Sequence, residues 1–212
     1  MKKLLILSVL LLLALAMTAQ SAKEEALQSL DSAKQLILQN NYPKAQGELN
    51  YASSKLSELL SEMLVLYLPD APAGYKVEEK SASGLGQMGA MLGSANTVAA
   101  VGTYTATKEN SDGDTPELTL TISLGGIMGQ ASGLAALGQM FGGMGTGTGS
   151  KTIRVSGYTG TQEYTGANNS ATLTVQVGPK ISVIVNGENL QSPDIMKTLA
   201  EKIELSKLEK AF

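Results

Sequence analysis

Methionine sulfur is the softest ligand this chain offers, and it is concentrated in two places. Met88 and Met91 stand three apart in SGLGQMGAMLGS (83–94), while Met128, Met140 and Met144 fall in the glycine-rich run 125–149. The word LGQM occurs in both passages, at 85–88 and 137–140. Thioethers favour Cu(I) over zinc or calcium, so Met88, Met91, Met140 and Met144 are candidate ligands of a soft metal. The same side chain is also an adaptable filler of irregular apolar gaps. On that second reading Met128, Leu134, Leu137, Met140 and Phe141 form an apolar interaction surface, kept pliable by the glycines between them. No cofactor is assigned.

The rest of the composition removes chemistry. The chain has no His, no Cys and no Trp. That excludes Ser-His-Asp and Cys-His nucleophiles and zinc sites built from those ligands. The nearest approach to a Ser–Lys arrangement, Ser53-Ser54-Lys55-Leu56, falls in the middle of an expected helix. Paired-carboxylate hydrolysis needs two acids held across a cleft. Here Glu24, Glu25, Glu58, Glu62, Glu201 and Glu204 read as solvated helix faces. The acidic loop Asn110-Ser111-Asp112-Gly113-Asp114 fails as an EF-hand, because placing Gly113 sixth puts Lys108 first and Thr119 twelfth. A hairpin turn is the expectation there, and likewise at Asn168-Asn169-Ser170. No catalytic residue is assigned, and the chain is read as a non-enzyme.

The opening MKKLLILSVLLLLALAMTAQSA has the plan of an export signal: Lys2 and Lys3, an apolar run from Leu4 to Ala16, then small residues. The run is shorter than the roughly 20 residues of a spanning helix. Cleavage after Ala19 is expected, giving a periplasmic or secreted protein. Without Lys2 and Lys3 the chain keeps 14 basic against 19 acidic residues, a net charge of −5. With Arg154 its only arginine and no basic cluster, it lacks the electrostatic footprint of a nucleic-acid binder. No later stretch is long and apolar enough to span a bilayer, and no disulfide supports the fold.

Two regions must position whatever site exists. In residues 20–68, Leu27, Leu30 and Ile37 share one helical face, and the helix stops near Asn40-Asn41-Tyr42-Pro43. Ala45, Leu49, Ala52, Leu56, Leu59, Met63 and Leu66 then alternate steps of four and three, a heptad-type seam. An antiparallel hairpin with these stripes facing each other is predicted; a self-associating coiled coil is the alternative, which only about three heptads would support. QNNYPKAQGELNYA resembles the inter-helix part of a tetratricopeptide unit, but one copy forms no solenoid. The segment 69–74, within LPDAPAG, is the expected linker.

Beyond it the pattern changes to period two in TVAAVGTYTATK, ELTLTISL, KTIRVSGY, TQEYTG, ATLTVQV and KISVIVN. ENSDGDTP (109–116) and Gly178-Pro179 are hairpin turns, and 127–141 is a glycine-weakened helix. Ser192-Pro193-Asp194 starts a last helix with Ile195, Leu199 and Ile203 on its buried stripe. The predicted fold is α+β: an N-terminal helical hairpin, then a mainly antiparallel sheet packed with two helices in a sandwich domain at 75–212.

The order LPDAPAGYKVEE, GTYTATK, LTLTISL, a Met/Gly-rich helix, KTIRVSGYTGTQEY and TLTVQVGPKISVIVNGE resembles an uncharacterised family of exported Gram-negative proteins. The resemblance covers nearly all of the chain after the leader, with Tyr75 where family members carry Trp. It implies the architecture and the location, and no activity. The expectation is thus a non-enzymatic binding or interaction module of the cell envelope, with an envelope protein or an apolar ligand as partner. The alternative is a carrier of Cu(I) or of a small apolar ligand.

Overall fold

The computed structural model describes residues 21–84, 98–125, 149–165 and 169–212. The chain divides into two compact units, Met1–Glu62 and Met63–Phe212, so the expected linker at 69–74 lies inside the second.

The first unit is a hairpin of helix α1 (21–38) and helix α2 (Tyr42–Val65), the latter continuing into the second unit. Asn40 ends α1 at φ 58°, the left-handed conformation that asparagine tolerates better than most residues. The Asn41 N–H then donates to the Leu36 carbonyl at 2.8 Å and the Asn40 N–H to Ile37 at 3.0 Å, a Schellman-type closure. Pro43 falls in the first turn of α2, where its missing N–H costs nothing.

The seam of this hairpin differs from the expected one. Ala22, Ala26, Ser29 and Ala33 are the buried positions of α1, at steps of four, three and four. Ala45 and Ala52, both in the expected seam, are buried on α2, as are Ser61 and Leu64 toward its end. Leu27, Leu30 and Ile37, expected to face the partner helix, are 53%, 42% and 47% exposed. Leu49, Leu56, Met63 and Leu66 are exposed as well. Side chains no larger than a methyl let two backbones come close, and the closer the backbones, the less room the seam leaves for leucine.

The second unit is α+β. Strands β1 (Tyr75–Gly84), β2 (Val98–Ala106), β3 (Glu117–Leu124), β4 (Gly149–Val155), β5 (Tyr158–Thr165), β6 (Ser170–Val177) and β7 (Ile181–Glu188) are followed by helices α3 (Asp194–Glu201) and α4 (Leu205–Ala211). They form one seven-stranded sheet in the order β1-β2-β3-β7-β6-β5-β4, antiparallel throughout. Two meanders meet at the β3–β7 pairing, where Leu120 sits opposite Val185.

Alternation decides which face is which. Leu118, Leu120, Ile122, Leu173, Val175, Val183 and Val185 are buried on one face, and Met196, Leu199, Ile203, Leu205 and Leu208 are buried beneath α3 and α4; α3 packs on β7, β6 and β4. The other face carries hydroxyls in register: Thr103 pairs with Thr119, Thr119 with Asn186, Asn186 with Thr172. Threonine keeps the β-branched shape strands favour while leaving a surface that water can solvate. Ser123 and Ser182, in register on that face, are fully buried and satisfy each other at 2.6 Å.

Three local departures from the expected elements have plain causes. KTIRVSGY is no single strand, because Ser156 (φ 48°) and Gly157 (φ 92°) make the two positive-φ residues of a tight hairpin between β4 and β5. The last helix breaks at Glu204 (φ −76°, ψ 66°), where the Leu205 N–H donates to the Ile203 carbonyl at 2.8 Å in an inverse γ-turn. That break buries Ile203, Leu205 and Leu208 together, and Met196 rather than Ile195 is the deeply buried residue of the first turn. Gly187 lies against Leu190, which is 1% exposed; a Cβ at 187 would sit 2.3 Å from Leu190 Cδ1.

Because a Cβ at 187 would overlap Leu190 and press on Leu118, both buried in the core, Gly187→Ala should cost about 1–3 kcal/mol. Chemical denaturation should show a lower midpoint at unchanged slope, with part of the loss recovered in Gly187→Ala/Leu190→Val. An unshifted midpoint for the single variant would contradict this packing.

Candidate interaction surface

The residues named above for metal binding and for the apolar surface, Met88, Met91, Met128, Leu134, Leu137, Met140, Phe141 and Met144, lie outside the described residues, as does the helix at 127–141. Among the described residues no group of three or more metal-ligating Asp or Glu side chains exists, and no helix is long and apolar enough to cross a membrane.

The acidic loop is a closed turn. Asn110 Oδ1 accepts the N–H groups of Asp112 (3.0 Å) and Asp114 (2.9 Å), and the Asn110 N–H donates to the Asp114 carbonyl at 2.7 Å. Its Nδ2 donates to the Asn189 carbonyl at 3.1 Å, tying the loop to the end of β7. Asn110 Oδ1 is thus committed to backbone donors, which closes the turn.

A second polar cluster secures the segment that enters the sheet. Lys80 Nζ donates to the Leu68 carbonyl (3.0 Å), Tyr104 Oη to Pro69 (2.8 Å) and Lys202 Nζ to Ala71 (2.8 Å). Burial, helped by the Asp70 charge, pushes the Tyr104 phenol up to about 12. Gly102 supports it by leaving room for the Tyr104 ring, whose Oη would lie 2.9 Å from a Cβ at 102. Tyr67 also meets Phe212 edge to face, centroids 6.1 Å apart. All these groups serve the backbone or each other, so the cluster holds structure.

The hairpin is where side chains are left over. Each helical residue turns about 100° from the one before, so residues following a seam position fall on one flank and those preceding it on the other. Leu27 and Leu30 follow Ala26 and Ser29, and Ile37 comes four after Ala33; Glu25 precedes Ala26. On α2, Leu49 and Leu56 come four after Ala45 and Ala52 and turn to the same side as a following residue; Tyr51 and Lys55 turn the other way. In antiparallel helices equal rotations fall on the same side of the pair. Contacts fix that assignment, since Glu25 accepts a hydrogen bond from Tyr51 Oη and pairs with Lys55 Nζ at 3.1 Å.

The hairpin thus has an ionic flank and an apolar one. On the ionic flank Lys55 also meets Glu58 at 3.1 Å, lies 5.7 Å from the Tyr51 ring centroid, and Ser21 Oγ donates to Glu25 at 3.0 Å. These partners hold the Lys55 ammonium well above its ordinary range, Glu25 being the main cause and Glu58 the next. The apolar flank carries Leu27, Leu30, Ile37, Leu49 and Leu56, all exposed. Reading the leucines as seam missed this surface; the signal that locates it is the heptad of small residues at 22, 26, 29, 33, 45 and 52.

No family model, curated protein or solved structure matches the chain.

The ionic flank makes a prediction about acid. The Tyr51 hydrogen bond, then Lys55, then Ser21, lower the Glu25 carboxyl from 4.5 to about 2. A depressed carboxyl contributes stability that is complete above its unfolded value and is lost as pH falls through its folded value. Hairpin stability should therefore begin to weaken below about pH 4.5 and lose this contribution through about pH 2. Carboxyl NMR titration should place the Glu25 midpoint near 2, moving upward in Tyr51→Phe; an ordinary midpoint in the wild-type chain would contradict the cluster.

Proposed function

We propose that this protein is a non-enzymatic interaction module of the cell envelope, acting after export, with the apolar flank of the hairpin as its contact surface. One observation carries the reading. Five large apolar side chains, Leu27, Leu30, Ile37, Leu49 and Leu56, are 39–53% exposed on one flank of a two-helix unit. Single exposed leucines are ordinary, but a contiguous group along a hairpin is the usual mark of an interface. The alanine seam accounts for how the leucines remain outside, and the ionic flank opposite accounts for which side faces water.

Within the sheet unit, Lys80, Tyr104 and Lys202 hold the carbonyls of Leu68, Pro69 and Ala71. A Met-based Cu(I) or apolar-ligand carrier is the alternative, and it rests on Met88, Met91, Met140 and Met144 through sequence alone.

Affinity capture from envelope extract tests the reading. The wild-type chain should retain a specific partner that Leu30→Ser/Leu56→Ser loses, with unchanged circular dichroism in the variant. Identical captured material from both chains would remove the flank from any contact role.

A further inference from the structure

Resting on the hairpin flank as a contact surface, we infer that its occupant is a second copy of the same chain, each hairpin laying α1 across its partner's α2.

The spacing is the first support. Leu30 and Ile37 stand seven apart on α1, Leu49 and Leu56 seven apart on α2, and exposed Met63 continues that step. A period of seven is the repeat by which one helix seats its side chains between those of another. A lipid surface calls for a basic border, which the α2 half of the flank, with Gln46 and Ser53 beside its leucines, lacks. A two-fold axis makes any such flank self-complementary, since each contact is made twice.

Charge selects the arrangement. The apolar flank of α1 is edged by Lys23 and Lys34, one residue past Ala22 and Ala33. The matching edge of α2 carries Gln46 and Ser53, one past Ala45 and Ala52, and no charge. Packing α1 on α1 would bring the lysines of two copies together; packing α1 on the partner's α2 sets each lysine against neutral polar groups. Like charges across an interface oppose association, so the crossed arrangement wins.

Area sets the strength. Leu27, Leu30, Ile37, Leu49, Leu56 and Met63 are each about half exposed. On the order of 50 Å² of apolar surface per side chain is then available, or about 300 Å² per protomer. With apolar atoms making up about 60% of an interface, two copies would bury roughly 1,000 Å² in all. That reaches the lower bound for a specific interface, where association is weak and reversible.

Sedimentation equilibrium on the purified chain, expressed with its own leader, reads this directly. Wild type should pass from monomer to dimer with a dissociation constant of about 10 μM or weaker. Leu49→Ser/Leu56→Ser should raise it at least about ten-fold. Lys34→Glu, which cannot disturb the alanine seam, should tighten or preserve the dimer; it serves if the serine variant loses helical signal. A wild-type chain monomeric up to 1 mM (about a hundred times the expected constant), a dimer equally strong in the leucine variant, or binding to phosphatidylglycerol vesicles in place of dimerisation would each overturn the second copy as occupant. If the wild type is monomeric yet Leu30→Ser/Leu56→Ser still loses its captured envelope partner, the contact surface stands with a different occupant. If both measurements are unaffected, both readings fall.

Discussion

Alanine has nothing beyond its β-carbon, and that single fact governs the hairpin. A seam of Ala22, Ala26, Ser29 and Ala33 against Ala45 and Ala52 places methyls and one hydroxymethyl where most helix pairs place leucine. Side chains this small allow close backbone packing, but the apolar area they hide is small, at about 25 cal/mol for each Å² removed from water. Leu27, Leu30, Ile37, Leu49 and Leu56 therefore keep about half of their surface in water. Two helices of this length are marginal when they bury so little. An exposed stripe of leucine on such a pair leaves apolar surface in contact with water.

The sheet unit obeys a different constraint, which is satisfaction of backbone groups. Residues 68–71 belong to no helix or strand, so their carbonyls lack ladder partners. Lys80 from β1, Tyr104 from β2 and Lys202 from the end of α3 supply donors from three separate elements. Tyr104 reaches Pro69 only because Gly102 leaves its ring somewhere to lie. The same economy appears at Gly187, whose bare backbone admits Leu190 into the core. Small residues are thus used in both units to bring chain segments together, with alanine doing so in helices and glycine in strands.

Much of this was legible from sequence because local rules and the fold agree. Thr and Leu alternate in LTLTIS as they do in the sheet, Gly178-Pro179 turns β6 into β7, and Asn40 with Pro43 separates α1 from α2. The seam was misassigned for a physical reason. Hydrophobic periodicity ranks leucine above alanine, whereas helix approach rewards the smaller side chain, and both patterns here run at seven residues. The Ser156-Gly157 turn hid inside KTIRVSGY because serine seldom adopts positive φ. The break at Glu204 arises from burying Ile203, Leu205 and Leu208 together, a tertiary demand that no window of sequence contains. As for the site, the methionine passages drew attention by composition, while the apolar flank became visible only once its leucines were seen to be exposed.

The central claim is that the hairpin buries alanine and presents leucine. Single cysteines report it directly, since the chain has none of its own. Ala26→Cys, Ala52→Cys, Leu30→Cys and Leu56→Cys would each be labelled with a thiol reagent under dilute native conditions. The account predicts slow labelling at 26 and 52 and rapid labelling at 30 and 56. Protection at 30 and 56 equal to that at the two alanine positions would contradict it.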